Sequence, residues 1–349
     1  MRATRVLPKI LTPREIYQEL DRFVIGQTKA KKAVAIAAYN HLKRVRARAV
    51  GMNLLGRKSN ILLIGPTGCG KTHIARTLAN ILSVPFVVAD ATEYTEAGYY
   101  GKDVEVMIGE LLMVANMDVS MCERGIVFID EVDKIARRSH SASTGAGNRD
   151  IGGEGVQQAL LKMLEGRTVL APSNLTQHWS KYEYVPIDTT DILFICAGTF
   201  SDLFMYSGEG KRVGFVSDGE RGRRRKITEQ DLLKYGLIAE FLGRLPVRVQ
   251  MEPLSDMEML EILVKPPDSL VNEYTEMLRL DGVHLEFEES GLIAIVQEAK
   301  RRDGGARALR AVMEEVLQDV LFHGPDLCGR SVTVDRAFVE FSLKRNANQ

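Results

Sequence analysis

Eight residues, Gly65-Pro66-Thr67-Gly68-Cys69-Gly70-Lys71-Thr72, satisfy the phosphate-loop pattern GxxxxGK[ST]. They follow an apolar run, Ile61 to Ile64, and precede a helical pattern with Ile74, Ala75, Leu78, Ile81 and Leu82 on one face. That context is what the chemistry needs. Glycines let backbone N–H groups turn inward on phosphates, and the helix N-terminus adds partial positive charge. Lys71 reaches the β and γ phosphates, and the Thr72 hydroxyl is a ligand for Mg²⁺. A second apolar run, Ile126 to Ile129, ends in Asp130-Glu131. Here Asp130 would hold Mg²⁺ through water, and Glu131 would be the base that polarises the attacking water. Alone, an acidic strand end is more often a solvated turn; with the phosphate loop it implies a nucleoside triphosphatase. The pair does not choose among motors, transporters and kinases.

The elements that must position these residues are legible as short β-branched runs. Ile61 to Ile64, Pro85 to Ala89, Ile126 to Ile129 and Ile192 to Cys196 have the length of buried strands, and Val247 to Met251 is a fifth candidate. Helical patterns alternate with them, which predicts an α/β fold with a doubly wound parallel sheet. After Glu252-Pro253 the pattern changes. Ser255 followed by Glu258 is a capping-box signature, and Pro266-Pro267 ends the helix that it opens. Helices over Leu270 to Leu278 and Ala308 to Leu321, with strand-like Val283 to Phe287 and Ser331 to Val334, predict a smaller, mainly helical α+β C-terminal domain. The expected division is residues 1–252 and 253–349. Two loop-like stretches, Arg137 to Gly155 and Ser207 to Lys226, fall in the first part.

Composition excludes several classes. The chain has 349 residues, 45% hydrophobic and 26% charged, an ordinary globular balance. No apolar run approaches the roughly 20 residues of a membrane span. Lys plus Arg equals Asp plus Glu, 46 each, which argues against bulk affinity for nucleic acid or anionic lipid. Cys69, Cys122, Cys196 and Cys328 form no CxxC pair, so neither zinc nor a disulfide framework is expected. Met1 to Leu11 has too short an apolar stretch for an export signal, which gives a cytoplasmic expectation.

From about Leu11 to about Phe341 the sequence resembles the ClpX family of AAA+ P-loop NTPases. The matching runs are Asp21 to Lys32, Lys58 to Thr72, Asp90 to Val104, Arg124 to Lys134, Gly153 to Gly166 and Tyr235 to Val247. The resemblance implies an ATP- and Mg²⁺-dependent unfoldase with no peptidase activity of its own. A homo-hexamer would unfold tagged protein substrates and thread them through its pore into a ClpP-type peptidase. It implies further that Val24 and Ile25, in Val24-Ile25-Gly26-Gln27, pack on adenine; the bland alternative is a helix-flanking turn. Arg244, in Gly243-Arg244-Leu245-Pro246, matches the arginine finger that reaches the neighbouring subunit's γ-phosphate, and Arg307, in Gly305-Ala306-Arg307, matches the sensor-2 arginine. Tyr99 and Tyr100, between Gly98 and Gly101, match the aromatic pore loop that grips polypeptide, and Asn148 to Gly152 a second pore loop. Val213-Gly214-Phe215 resembles the tripeptide that docks on the peptidase. Cys196-Ala197-Gly198-Thr199 departs from the family's Cys-Gly-Gly-Ala, which leaves Thr199 as a sensor-1 candidate. The family's N-terminal zinc domain would lie before Met1, so no zinc is expected.

Three other readings stay open, one of them a ring that remodels proteins without any peptidase. HslU shares the Thr12 to Ile16 opening and the Thr95 to Tyr99 segment, but it carries a large insertion where this chain has only Arg137 to Gly155, and it has no counterpart of Val213-Gly214-Phe215. A nucleic-acid-remodelling AAA+ ATPase is motivated by the basic clusters Lys43 to Arg48 and Arg221 to Lys226.

Overall fold

The computed structural model of the chain describes residues 10–52, 58–95, 102–137, 153–173, 183–205 and 226–346. Tyr99, Tyr100, Val213, Gly214, Phe215 and the segment Asn148 to Gly152 lie outside the described residues. The chain divides into two compact units, one comprising Met1–Tyr17, Lys29–Pro66 and Ile74–Met251, the other Gln18–Thr28, Thr67–His73 and Glu252–Gln349.

The first unit is built on helices α1 (Pro13–Phe23), α2 (Thr28–Ala49) and α3 (Lys71–Leu82), each of which shares residues with the second unit, and on α4 (Val106–Val114), α5 (Val119–Cys122), α6 (Gly153–Glu165), α7 (Ser201–Met205), α8 (Glu229–Tyr235) and α9 (Ala239–Gly243). Its strands are β1 (Ile61–Ile64), β2 (Phe86–Asp90), β3 (Tyr94–Thr95), β4 (Lys102–Asp103), β5 (Ile126–Asp130), β6 (Thr168–Pro172), β7 (Tyr184–Asp188), β8 (Leu193–Gly198) and β9 (Val247–Gln250). Five of them form one parallel sheet in the order β2-β5-β8-β1-β9, with Ile61 opposite Ile195 and Val247, and Asp90 opposite Asp130. The expected α/β fold and all five expected strands are present.

Burial explains why these runs are strands. Every residue of β1 and β8 is buried, as a parallel sheet covered on both faces requires, whereas the edge strand β2 leaves Val88 exposed. Phe128, Phe194, Phe200 and Phe241 are among the largest fully buried side chains around the sheet. The strand order reverses beside β1, so the carboxyl ends of β1, β5 and β8 border the crevice where doubly wound sheets bind ligands. The antiparallel pair β6–β7 had no clear signal in sequence. Pro172 and Pro186 lie within it, and proline ordinarily demotes a run from strand to loop.

The second unit holds α10 (Asp256–Val264), α11 (Leu270–Leu280), β10 (His284–Phe287), α12 (Glu289–Arg301), α13 (Ala306–Phe322), β11 (Ser331–Val334) and α14 (Arg336–Asn346), with β10 and β11 parallel. Leu263, Leu278, Ile295, Leu309, Val312, Met313 and Leu317 are fully buried and form its core. The capping box expected at Ser255 is present: Ser255 Oγ accepts from Glu258 N at 3.2 Å, and Glu258 Oε2 accepts from Ser255 N at 2.8 Å.

Candidate nucleotide site

In the second unit, the loop Thr67–His73 turns through two left-handed glycines, Gly68 (φ 74°) and Gly70 (φ 96°), before α3 opens at Lys71. Gly68 has a second constraint. A Cβ there would collide with the carbonyl oxygen of Gly304 and come within 2.8 Å of Gly305 Cα. Ala306 N, at the start of α13, donates to Gly68 O at 3.1 Å, so the helix that carries Arg307 is bonded directly to the phosphate loop. Only glycine on both sides permits that approach. Lys71 is 8% exposed and Thr72 half-buried.

Beside this loop lies a cavity of about 190 Å³, lined by Phe23, Val24, Ile25, Cys69, Gly70, His73, Leu254, Ile262, Pro266, Asp268, Leu270 and Ala306. Its wall is largely apolar with few polar groups, which suits a flat heterocycle next to a phosphate cradle. Val24 and Ile25, expected against a base, line the same cavity as Cys69 and Gly70 of the phosphate loop. Gln27 fixes their turn: its Nε2 donates to Glu252 O at 2.7 Å and Cys69 O at 3.4 Å, while its Oε1 accepts from Glu252 N at 3.2 Å. His73 Nε2 lies 3.1 Å from Phe23 O. Burial pushes the Cys69 thiol up, and the nearby charges of Lys71 and Arg307 oppose that rise. Arg307, itself exposed, thus lies within electrostatic reach of the loop.

In the first unit, Asp130 and Glu131 end β5, with Asp90 in register at the end of β2. Asp130 Oδ1 accepts from Glu131 N at 2.9 Å. Glu131 has φ 57°, an uncommon conformation for a non-glycine residue, and Val132 N then returns to donate to Ala197 O at 3.0 Å on β8. Asp133 is 5% exposed, and its Oδ2 accepts from Thr199 Oγ1 at 2.8 Å and Phe200 N at 3.3 Å. The sensor-1 candidate Thr199 is thereby tied to the acidic turn. Burial raises the Glu131 carboxyl above its ordinary range, and the like charges of Asp90, Asp130 and Asp133 add to the rise.

This acidic edge fits a divalent cation in its oxygen chemistry. Among the described residues, however, no three His, Cys, Asp or Glu side chains converge as a ready-made cage. That suits Mg²⁺ arriving with nucleotide and held by one or two protein oxygens plus phosphate, better than a resident ion.

Arg244 follows α9 at the rim of the first unit, between the fully buried Leu242 and Leu245. Its Nη2 donates to Glu165 Oε1 at 2.6 Å, and the side chain is 39% exposed. Sequence reasoning gave no role to Glu165, Asp90, Asp133, Gln27 or the buried Asn60; all five stood inside runs already singled out, but most of their partners are remote in sequence.

A family model described as the AAA domain (Cdc48 subfamily) matches residues 56–248, and one described as the C-terminal, D2-small domain of ClpB protein matches residues 254–325. The chain is 46% identical over 319 residues to an ATP-dependent Clp protease ATP-binding subunit, ClpX 2, from Wolinella succinogenes; the match covers 91% of this chain and 78% of the relative. It is 41% identical over 331 residues to the ATP-dependent Clp protease ATP-binding subunit ClpX of Treponema denticola, covering 92% of this chain and 79% of the relative.

Proposed function

Because this chain belongs to the ClpX family of AAA+ ATP-binding subunits, we propose that it is an ATP-driven protein unfoldase that works as a homo-hexameric ring and delivers substrates to a ClpP-type peptidase. The observation that carries this reading is the 46% identity, across 91% of the chain, to a Clp protease ATP-binding subunit. Of the alternatives left open by sequence, neither the HslU-like nor the nucleic-acid reading has a comparable observation behind it.

Within that reading each residue takes the role that its motif or the family resemblance implies. The loop Gly65 to Thr72 cradles the phosphates, with Lys71 on the β and γ phosphates, while Val24 and Ile25 cover the adenine. Thr72 and Asp130 would hold Mg²⁺, which when bound supplies charge neutralisation along the triphosphate. Glu131 orients the attacking water and takes its proton; a carboxyl raised by burial and by its charged neighbours is a better base near neutral pH than an ordinary one. Arg244 is offered to the nucleotide of the adjacent subunit, and Arg307 meets the nucleotide of its own. A trans-acting arginine is worth roughly 10³ to 10⁵ in rate, so an isolated subunit would be nearly inactive. Tyr99 and Tyr100 would grip the polypeptide, aromatic surface being tolerant of sequence. Val213, Gly214 and Phe215 would anchor the peptidase.

The test is ATP-dependent degradation of a tagged, stably folded fluorescent protein in the presence of ClpP. Glu131→Gln, Tyr99→Ala and Phe215→Ala should each abolish degradation, and Phe215→Ala alone should retain ATP hydrolysis and unfolding. A wild-type chain that hydrolyses ATP yet leaves the fluorescent protein folded would overturn the proposal, and stimulation by DNA would then favour the nucleic-acid reading.

A further inference from the structure

We propose that Glu165 is the positioning residue for Arg244, so that a carboxylate in one subunit governs ATP hydrolysis in the next. The inference rests on the reading of Arg244 as a trans-acting arginine. Glu165 is the last residue of α6, and both of its oxygens are engaged: Oε1 by Arg244 Nη2 at 2.6 Å and Oε2 by Arg167 Nη2 at 2.8 Å.

A half-exposed ion pair ordinarily contributes little to stability, because two long side chains must be held in one geometry. Here the backbones on both sides are already fixed. Asn60, fully buried, donates from Nδ2 to Leu164 O at 3.2 Å and to Arg244 O at 3.1 Å. One amide thus ties the residue before Glu165 and Arg244 itself to the same point, just before β1. Arg248 adds a second brace, donating from Nη2 to Leu242 O at 3.0 Å and from Nε to Leu245 O at 3.2 Å on either side of Arg244. With both main chains set by the core, the carboxylate has one remaining freedom to remove, the rotamers of the arginine.

The charge balance favours presentation over sequestration. Arg167 takes one carboxylate oxygen, which prevents a bidentate lock on Arg244. Two guanidinium groups against one carboxylate leave the trio net positive, so the cation retains its value to a phosphate. Ordering a long side chain costs rotamer freedom that corresponds to roughly 2- to 12-fold in rate if it is lost only at the transition state. Glu165 would meet that cost before substrate arrives.

The experiment uses mixed rings of the full chain, in which a minority of wild-type subunits hydrolyses ATP while surrounded by an excess of subunits that cannot. Donor subunits carry Glu131→Gln alone, Glu131→Gln with Glu165→Gln, or Glu131→Gln with Arg244→Ala, at concentrations where sedimentation shows equal ring assembly. Because every hydrolysing site is wild type, only what the neighbour supplies can change the rate. We expect Glu165→Gln donors to lower kcat roughly 3- to 10-fold with KM for ATP within about twofold, and Arg244→Ala donors to lower it far more. In uniform rings, Glu165→Gln should add nothing to Arg244→Ala. Glu165→Gln donors that support the full rate, or a faster one as release of a sequestered arginine would give, overturn the proposal while leaving the role of Arg244 intact. Arg244→Ala donors that support the full rate overturn the role of Arg244, and that of Glu165 with it.

Discussion

The two ends of the central sheet carry opposite charge and solve opposite problems. At the carboxyl ends of the strands, Asp90, Asp130, Glu131 and Asp133 stand together, and their mutual repulsion helps to raise the Glu131 carboxyl. At the amino ends, His41, Arg44, Arg48 and Lys58 gather, but each positive charge there has compensation to hand. Arg48 Nη1 lies 3.3 Å from carboxylate oxygens of both Asp188 and Asp191. Lys58 Nζ donates to Thr189 O at 2.7 Å and Met163 O at 3.5 Å, and sits 4.6 Å from the centroid of the Phe194 ring. Together with Asn60 it satisfies the last carbonyls of α6, which have no partners within the helix. At one end like charges stand beside one another around Glu131; at the other, positive charge is met by carbonyls and carboxylates that tie helices to strands.

The largest test of that contrast is Glu131→Gln. Removing the base should lower the rate of ATP hydrolysis by about 10² to 10⁴ while nucleotide binding and thermal stability hold or improve, because one member of a repelling cluster becomes neutral. Phosphate release and binding of a fluorescent nucleotide measure both; a clear loss of stability would show that the acidic end is structural after all. At the other end, Asn60→Ala should do the reverse. It strands the carbonyls of Leu164, buried, and Arg244, partly buried, and should reduce stability by about 3 kcal/mol, read as a lower urea midpoint. Nucleotide affinity per folded molecule should persist.

The unequal legibility of the two ends has a physical basis. The phosphate loop and Asp130-Glu131 are contiguous, and each sits at the end of an apolar run, so local pattern was enough to locate them. The same holds for the capping box at Ser255 and Glu258. Asn60 gives no such signal, since it is one polar residue before a strand and its partners are 104 and 184 residues away. Glu165 and Arg244 are separated by 79 residues, and only the folding of α6 against α9 brings them together. Val24 and Ile25 were assigned through a family resemblance; their apolar character alone would have described a helix-flanking turn equally well.

The pH dependence of stability should separate the ends again, with a smaller effect. Burial, with Arg44 adding to it, holds Lys58 down at about 7, against an ordinary value of 10.5. Between those values the unfolded chain binds more protons than the folded one, so stability should rise with pH through that window, by at most about 1.4 kcal/mol per pH unit. His41, held down at about 3 by burial and by Arg44 and Lys58, has the same sign at lower pH: its contribution is lost as pH falls from about 6.5 toward 3. Glu131, raised above its ordinary value, has the opposite sign, stability falling as pH rises through its window. Urea midpoints across pH 7 to 10 for wild type and Lys58→Met provide the check, and an equal slope in the two proteins would remove Lys58 as its source.

The smallest expected effect bears on the acidic end alone. Asp90 is the first of the charged neighbours that raise Glu131, after burial itself. Its Oδ1 also accepts from Thr92 N at 2.8 Å and Thr92 Oγ1 at 2.7 Å, a role that an asparagine carbonyl keeps. Asp90→Asn therefore removes charge with little change of shape. With less repulsion Glu131 ionises more readily, so the acid limb of kcat/KM for ATP, which reports the free protein, should move down by about half a pH unit at low salt. The shift should shrink as ionic strength rises, since these carboxylates face solvent. An acid limb that stays in place would assign the raised carboxyl to burial alone, and the contrast between the two ends would then rest on desolvation rather than on like-charge repulsion.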